Sequence, residues 1–109
     1  MNDIKLLGRL TKSPEIKQSQ GGHAYAWFTI AVPRVNNRDE ADFFRCVVFD
    51  KLAQALVINC SKGRQLLVQG RVEVSTKKDQ QTQNLTTYHT VIASSIEFLQ
   101  KPNPQATQA

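Results

Sequence analysis

Between Phe43 and Cys60 the hydrophobic period changes once, and that change limits the folds open to this chain. From Phe43 to Phe49 the residues alternate with period two, as a strand does: Phe44, Cys46 and Val48 on one face, Phe43, Arg45, Val47 and Phe49 on the other. From Leu52 to Cys60 the period lengthens. Leu52, Ala55, Leu56 and Asn59, with Val57 and Cys60 nearby, fit a helix of two to three turns. Lys62-Gly63 then offers a cation and a glycine terminator.

Everything else with apolar content reads as strand. Ile4 to Leu10 places Ile4, Leu6 and Leu10 on one face, and Gly8 in its middle predicts a bulge or a close backbone approach. Thr11 to His23 is a polar connection ending in Gly21-Gly22. Ala24 to Val32 alternates Ala26, Phe28, Ile30 and Val32 against Tyr25, Trp27, Thr29 and Ala31, and Pro33 should end it. Val35 to Glu40 is a polar hairpin loop. Gln65 to Ser75 returns to strand, with Leu66, Val68, Val72 and Val74 alternating around Gly70. Thr76 to Thr87 reads as a long polar loop, and Tyr88 to Leu99 as the last strand. Five strands with one helix between the third and fourth is the order of the OB-fold, an all-β five-stranded Greek-key barrel. Glycines inside the first and fourth strands provide places for such a barrel to bend.

The chain has 109 residues, enough for one core and not two. The barrel is expected over residues 1–100, followed by a disordered polar tail, 101–109 (KPNPQATQA). No apolar run approaches the ~18 residues of a membrane span, and Met1-Asn2-Asp3 lacks the layout of a signal peptide. Cys46 and Cys60 sit in apolar stretches without metal-ligand spacing. They read as buried thiols of a cytoplasmic protein, and nothing requires a disulfide.

Fourteen Lys and Arg against nine Asp and Glu leave a net charge of +5, which invites a polyanion. The third strand sharpens the question, because neither of its faces is conventionally polar. Such a strand is buried on both sides, or apolar outside because it binds something. Trp27, out of phase with Ala26 and Phe28, should also point outward, where base stacking or a subunit interface would each account for an indole.

Leu7-Gly8-Arg9-Leu10-Thr11, Ser13-Pro14-Glu15, Phe28-Thr29-Ile30-Ala31-Val32, Arg45-Cys46-Val47-Val48-Phe49, Lys62-Gly63 and Val68-Gln69-Gly70-Arg71-Val72 follow one another in a telling order. In that order and spacing they resemble the bacterial single-stranded DNA-binding proteins, from about Ile4 to Leu99. The resemblance implies the OB-fold, a homo-oligomer (usually a tetramer), and coating of single-stranded DNA with little sequence preference. That task needs cations tracking phosphates and flat apolar surfaces on which bases stack. By resemblance Phe43 and Phe49 are the stacking aromatics, and Arg45 and Lys51 are cations of the same surface. Lys17 and Lys62 match further basic positions. Trp27 is a candidate platform, Tyr25 a weaker one, and Lys77 and Lys78 could reach a phosphate backbone. Outward-facing Leu7 is a candidate intersubunit contact.

The chain departs from the family's pattern in three places. Val35-Asn36-Asn37 and Thr76-Lys77-Lys78 stand where the family usually has aromatics, and Glu73 and Ser75 where it often has arginines. Weaker, more salt-sensitive binding would follow. Long family members also end in an acidic segment that recruits replication and repair enzymes; here no acidic residue follows Glu97, so such recruitment is not expected. Catalysis is not indicated: His23 and His89 lie in a loop and a strand, and no phosphate loop, nucleophile elbow or HExxH motif is present. Asp39, Glu40 and Asp42, beside Arg34 and Arg38, read as a solvated loop rather than a metal site, and no cofactor is implied. A protein-interaction module on the same fold, such as a primosome component, and an RNA-binding OB protein remain the alternatives.

Overall fold

A computed structural model describes residues 1–101. Six strands and one helix follow in the order β1 (Ile4–Leu10), β2 (Lys17–Gln18), β3 (Ala24–Pro33), β4 (Ala41–Phe49), α1 (Asp50–Asn59), β5 (Gln65–Lys78) and β6 (Leu85–Phe98). The polar tail expected beyond residue 101 lies outside the described residues.

β1 pairs antiparallel with β5 along its length and with β3 at Arg9 and Leu10. β5 pairs with β6, β6 runs parallel to β4 at Cys46↔Val91 and Val47↔Ile92, and β4 pairs with β3. These pairings form a closed ring, β1-β5-β6-β4-β3-β1, with β2 an added edge on β3. With the single helix between the β4 and β5 segments, this is the arrangement expected of an OB-fold.

The inward phases of the alternating strands meet in one core. Leu6, Leu10, Ala26, Phe28, Ile30, Cys46, Val48, Leu66, Val68, Val91 and Ala93 are all buried in it. Two glycines let backbones come close enough to close the ring. A Cβ on Gly8 would stand 2.6 Å from the Ala31 carbonyl oxygen, and one on Gly70 only 2.0 Å from that of Ile92. At Gly8 the expected alternatives resolve as close approach. At Gly70 the register of β5 on β6 slips between Gln69 and Gly70, a bulge that bends the ladder.

Several expectations need correction. The helix buries Ala53 and Leu56, with Cys60 behind them, rather than a stripe through Ala55 and Asn59. It ends on an extended Cys60, whose N–H reaches the Leu56 carbonyl, so Gly63 is not its cap. Gly63 (φ 90) instead forms a turn whose N–H donates to the Leu10 carbonyl. Thr76 to Thr87 is not a long loop. β5 continues to Lys78 and β6 begins at Leu85, leaving a six-residue turn, Asp79–Asn84, because the ladder recruits polar residues whose side chains show no pattern. Val74 is correspondingly exposed rather than core. The polar connection after β1 contains the two-residue strand β2.

The β3–β4 hairpin loop is solvated, as its composition indicates. Arg34 donates to Glu40 and Asp42 at 2.9–3.1 Å. Cys46 and Cys60 are buried and unpaired, and burial pushes the Cys46 thiol up to about 12. Among the described residues no helix is long and apolar enough to cross a membrane.

Candidate nucleic-acid interface

The β3–β4 register decides which outward side chains become neighbours. Ala31 lies opposite Phe43, Thr29 opposite Arg45, Trp27 opposite Val47, and Tyr25 opposite Phe49. All eight are on the phase opposite to the core residues of these two strands. Val47 sits between Trp27 on one side and Ile92 of β6 on the other, which buries it although it faces out of the barrel. The flanking residues are not covered: Phe43 is 68% exposed, Phe49 46% and Trp27 36%. Phe43 and Phe49 lie six residues apart on one strand, about 20 Å at the usual rise. The chain turns at Asp50, which adopts a left-handed conformation (φ 56), so Phe49 keeps the outward phase up to the first residue of α1.

The Arg45 guanidinium stacks over the Trp27 ring, its central carbon 4.2 Å from the ring centroid. A cation so placed is attracted by the ring's quadrupole. Two grooves meet at this pair. One, of about 530 Å³, has walls of Tyr25, Trp27, Phe49, Val47 and Ile92, with Glu73 and three hydroxyl side chains along its polar side. The other, of about 470 Å³, is lined by Lys12, Lys17 and Arg45 with a single acid, Glu15, and shares Trp27 with the first. An apolar slot and a cationic slot thus lie side by side, the two kinds of surface that a single strand needs for its bases and its phosphates.

Trp27 and Phe49 come together at the apolar groove, and Trp27, Arg45 and Lys17 at the cationic one. Lys17 reaches its groove because β2 pairs with β3, Lys17 opposite Tyr25. Lys62 lies at the rim, its backbone N–H donating to Ser13 Oγ at 3.0 Å. Phe43 stands alone at the far end of β4. Lys51 projects from the first turn of α1, outside both grooves. Lys77 and Lys78 are on the outer part of the β5–β6 hairpin, where Lys77 lies 5.8 Å from the centre of the Tyr88 ring.

Sequence reasoning did not single out Tyr88, Ile92 or Lys12, and it noted Glu73 only as a departure from the family's arginines; Tyr25, its weaker candidate, lines the apolar groove. Tyr88 and Ile92 had a signal available: both are on the phase of β6 opposite to Val91 and Ala93. Lys12 had none, because its place depends on how the connection after β1 folds back.

A closed small barrel with aromatics and cations interleaved on one outer face defines an OB-fold binding module for an extended, charged, stackable ligand. Comparison with known proteins gives the family. Residues 1–99 match the single-strand binding protein family, and this chain belongs to it. It is 40% identical over 105 residues to a single-stranded DNA-binding protein of Clostridium perfringens, covering 94% of this chain and 69% of that one. It is 42% identical over 104 residues to one of Fusobacterium nucleatum, covering 90% and 66% respectively. Single-stranded DNA-binding protein 1 of Staphylococcus aureus is 37% identical over 112 residues, covering 99% and 71%.

Proposed function

We infer that this chain binds single-stranded DNA with little sequence readout, through the outward face of β3 and β4 and the grooves beside it. The observation that carries the reading is the outward-facing row Phe43, Arg45, Val47, Phe49, exposed at every position but Val47, with Trp27 stacked under Arg45. Bases stack on Phe43, Phe49 and Trp27, each contact contributing about 1–3 kcal/mol regardless of base. Arg45 and Lys17 in the cationic groove, with Lys62 at its rim, take phosphates, and Lys51, Lys77 and Lys78 extend the positive field. One face of Trp27 is occupied, so a base meets it from the apolar groove or displaces the guanidinium. The protein acts by binding, not catalysis: it covers and protects exposed strands in replication, recombination, repair or DNA uptake. The names of its relatives support this reading.

A homotetramer is the proposed assembly, with Leu7, 48% exposed on the outward phase of β1, among its contacts. Light scattering should give four times the chain mass; a monomeric mass at micromolar concentration overturns it. Two buried, unpaired thiols support a cytoplasmic location.

Trp27 is the single tryptophan, so its fluorescence tests the binding reading directly. Titration with oligo-dT should quench or shift the emission and saturate, weaken with salt, and fail with duplex. Absence of both a fluorescence change and a gel shift, even at low salt, overturns it.

A further inference from the structure

The two grooves beside Trp27 differ in hydrogen-bonding character as well as in polarity. The cationic groove offers donors from Lys12, Lys17 and Arg45. The apolar groove contains one charged side chain among its described lining residues, and it is an acceptor: Glu73. A carboxylate is costly where phosphates are to be attracted, and nothing in the barrel needs it, since Glu73 is half exposed and outside the core. Its neighbours constrain it, however. Arg71, two residues back on the same face of β5, donates to Glu73 Oε1 at 2.9 Å, and Thr90 lies directly across the ladder. A carboxylate has two oxygens and about four lone-pair sites, so the bond to Arg71 orients the group and leaves acceptor capacity. The aromatic walls, Tyr25, Trp27 and Phe49, are the surfaces on which a base would lie.

We propose that Glu73 is a base-selecting residue: it accepts a hydrogen bond from the exocyclic amine of a base held in the apolar groove, favouring cytosine, adenine and guanine over thymine. Cytosine N4, adenine N6 and guanine N2 are donors that a carboxylate can meet. Thymine has no amine, and its one ring N–H lies between two carbonyls that repel the second carboxylate oxygen. The selection is superimposed on stacking, which every base can make. The Arg71–Glu73 pair also lowers the groove's net attraction for phosphate, so the acid weakens binding overall while biasing it.

This proposal rests on the single-strand binding reading, and the test separates the two. Affinities for oligo-dC and oligo-dT of equal length are measured for the wild type, Glu73→Ala and Glu73→Gln at fixed salt and neutral pH. The readout is the dC/dT affinity ratio relative to wild type, which cancels intrinsic stacking differences and any uniform gain from freeing Arg71. The expected result is a fall in that ratio of about threefold to tenfold in Glu73→Ala, the size of one net hydrogen bond at a partly solvated site. Glu73→Gln should also lower it, because the new amide can donate to thymine O4 while its uncharged carbonyl accepts more weakly from the amine. Equal gains for both oligonucleotides, with the ratio unchanged, would mean that Glu73 acts by charge alone and would overturn the proposal. Failure of the wild type to bind either oligonucleotide would overturn the binding reading itself.

Discussion

The β5–β6 ladder is one continuous pairing built from two unlike halves. From Leu66↔Phe98 to Val72↔Val91 it is part of the barrel wall, with Leu66 and Val68 fully buried and Val91 and Ala93 nearly so. From Glu73↔Thr90 to Lys78↔Leu85 the pairing goes on without a break, yet all but Thr90 of these residues are exposed. Both halves are laddered through backbone pairing, the inner one with a bulge at Gln69/Gly70. What differs is the apolar area removed from water, so the inner half holds the fold together while the outer half is an arm supported by it. The arm can therefore change its side chains, including Lys77, Lys78 and Tyr88, at little cost to the fold.

Truncation should break the two halves apart most sharply. Leu66→Ala leaves a cavity in the barrel core and should cost about 3 kcal/mol in urea unfolding. Val74→Ala, eight residues along the same strand, should change stability by less than about 0.5 kcal/mol. Comparable losses at both positions would mean that the arm packs against something and that the contrast is false.

Alkaline pH probes the inner half from another direction. Cys46, paired with Val91, has its thiol pushed by burial from the ordinary 9.0 to about 12. Above pH ~9 the unfolded chain releases this proton and the folded chain keeps it, so the native state binds more protons and stability falls as pH rises. The slope approaches about 1.4 kcal/mol per pH unit, or about 2 kcal/mol by pH 10.5. Cys46→Ala should remove that slope, measured as the difference between the two proteins' unfolding free energies from pH 8 to pH ~10.5. Parallel curves would show that the thiol is solvated in the folded state.

The inner half of β5 was legible in the sequence because burial writes itself as alternation: Leu66 and Val68 follow from spacing alone, although the same alternation also picked up Val74, which is exposed. The arm was not. Thr76-Lys77-Lys78 and Thr86-Thr87 pair with each other through backbone groups that every residue has, so nothing in their side chains marks a strand. The outward phase of Phe43, Arg45, Phe49 and Trp27 was legible for the same reason as the core, as its complement. That Arg45 lies on Trp27 was not, since it depends on the register of β3 against β4, which no local pattern reports. The helix was placed correctly but its buried stripe was not, because Ala53 and Ala55 are chemically alike and only packing distinguishes them.

Binding measurements should reverse the order of the two halves. Tyr88→Ala on the arm should leave stability within about 0.5 kcal/mol of wild type while weakening binding to oligo-dT by about fivefold, the lower range of a base–aromatic stack. An unchanged affinity would confine the binding face to β3 and β4 and leave the arm without a role in DNA contact.

The smallest expected effect is also the most specific to charge. If Lys77 and Lys78 each meet a phosphate, replacing both with Ala should lower the slope of log affinity against log salt by about 1.4, roughly 0.7 for each counterion no longer released from a single strand. Affinity extrapolated to high salt should hardly move, because the proposed stacking residues Phe43, Phe49 and Trp27 are unchanged. Lys77 is already engaged with the Tyr88 ring, 5.8 Å from its centre, so the two arm substitutions are coupled. Tyr88→Ala removes a stack and frees a cation, lowering affinity at all salts while steepening the slope slightly. The double lysine variant does the opposite to the slope. If both variants moved it in the same direction, Lys77 would be held by Tyr88 rather than by DNA, and the arm would act through its ring alone.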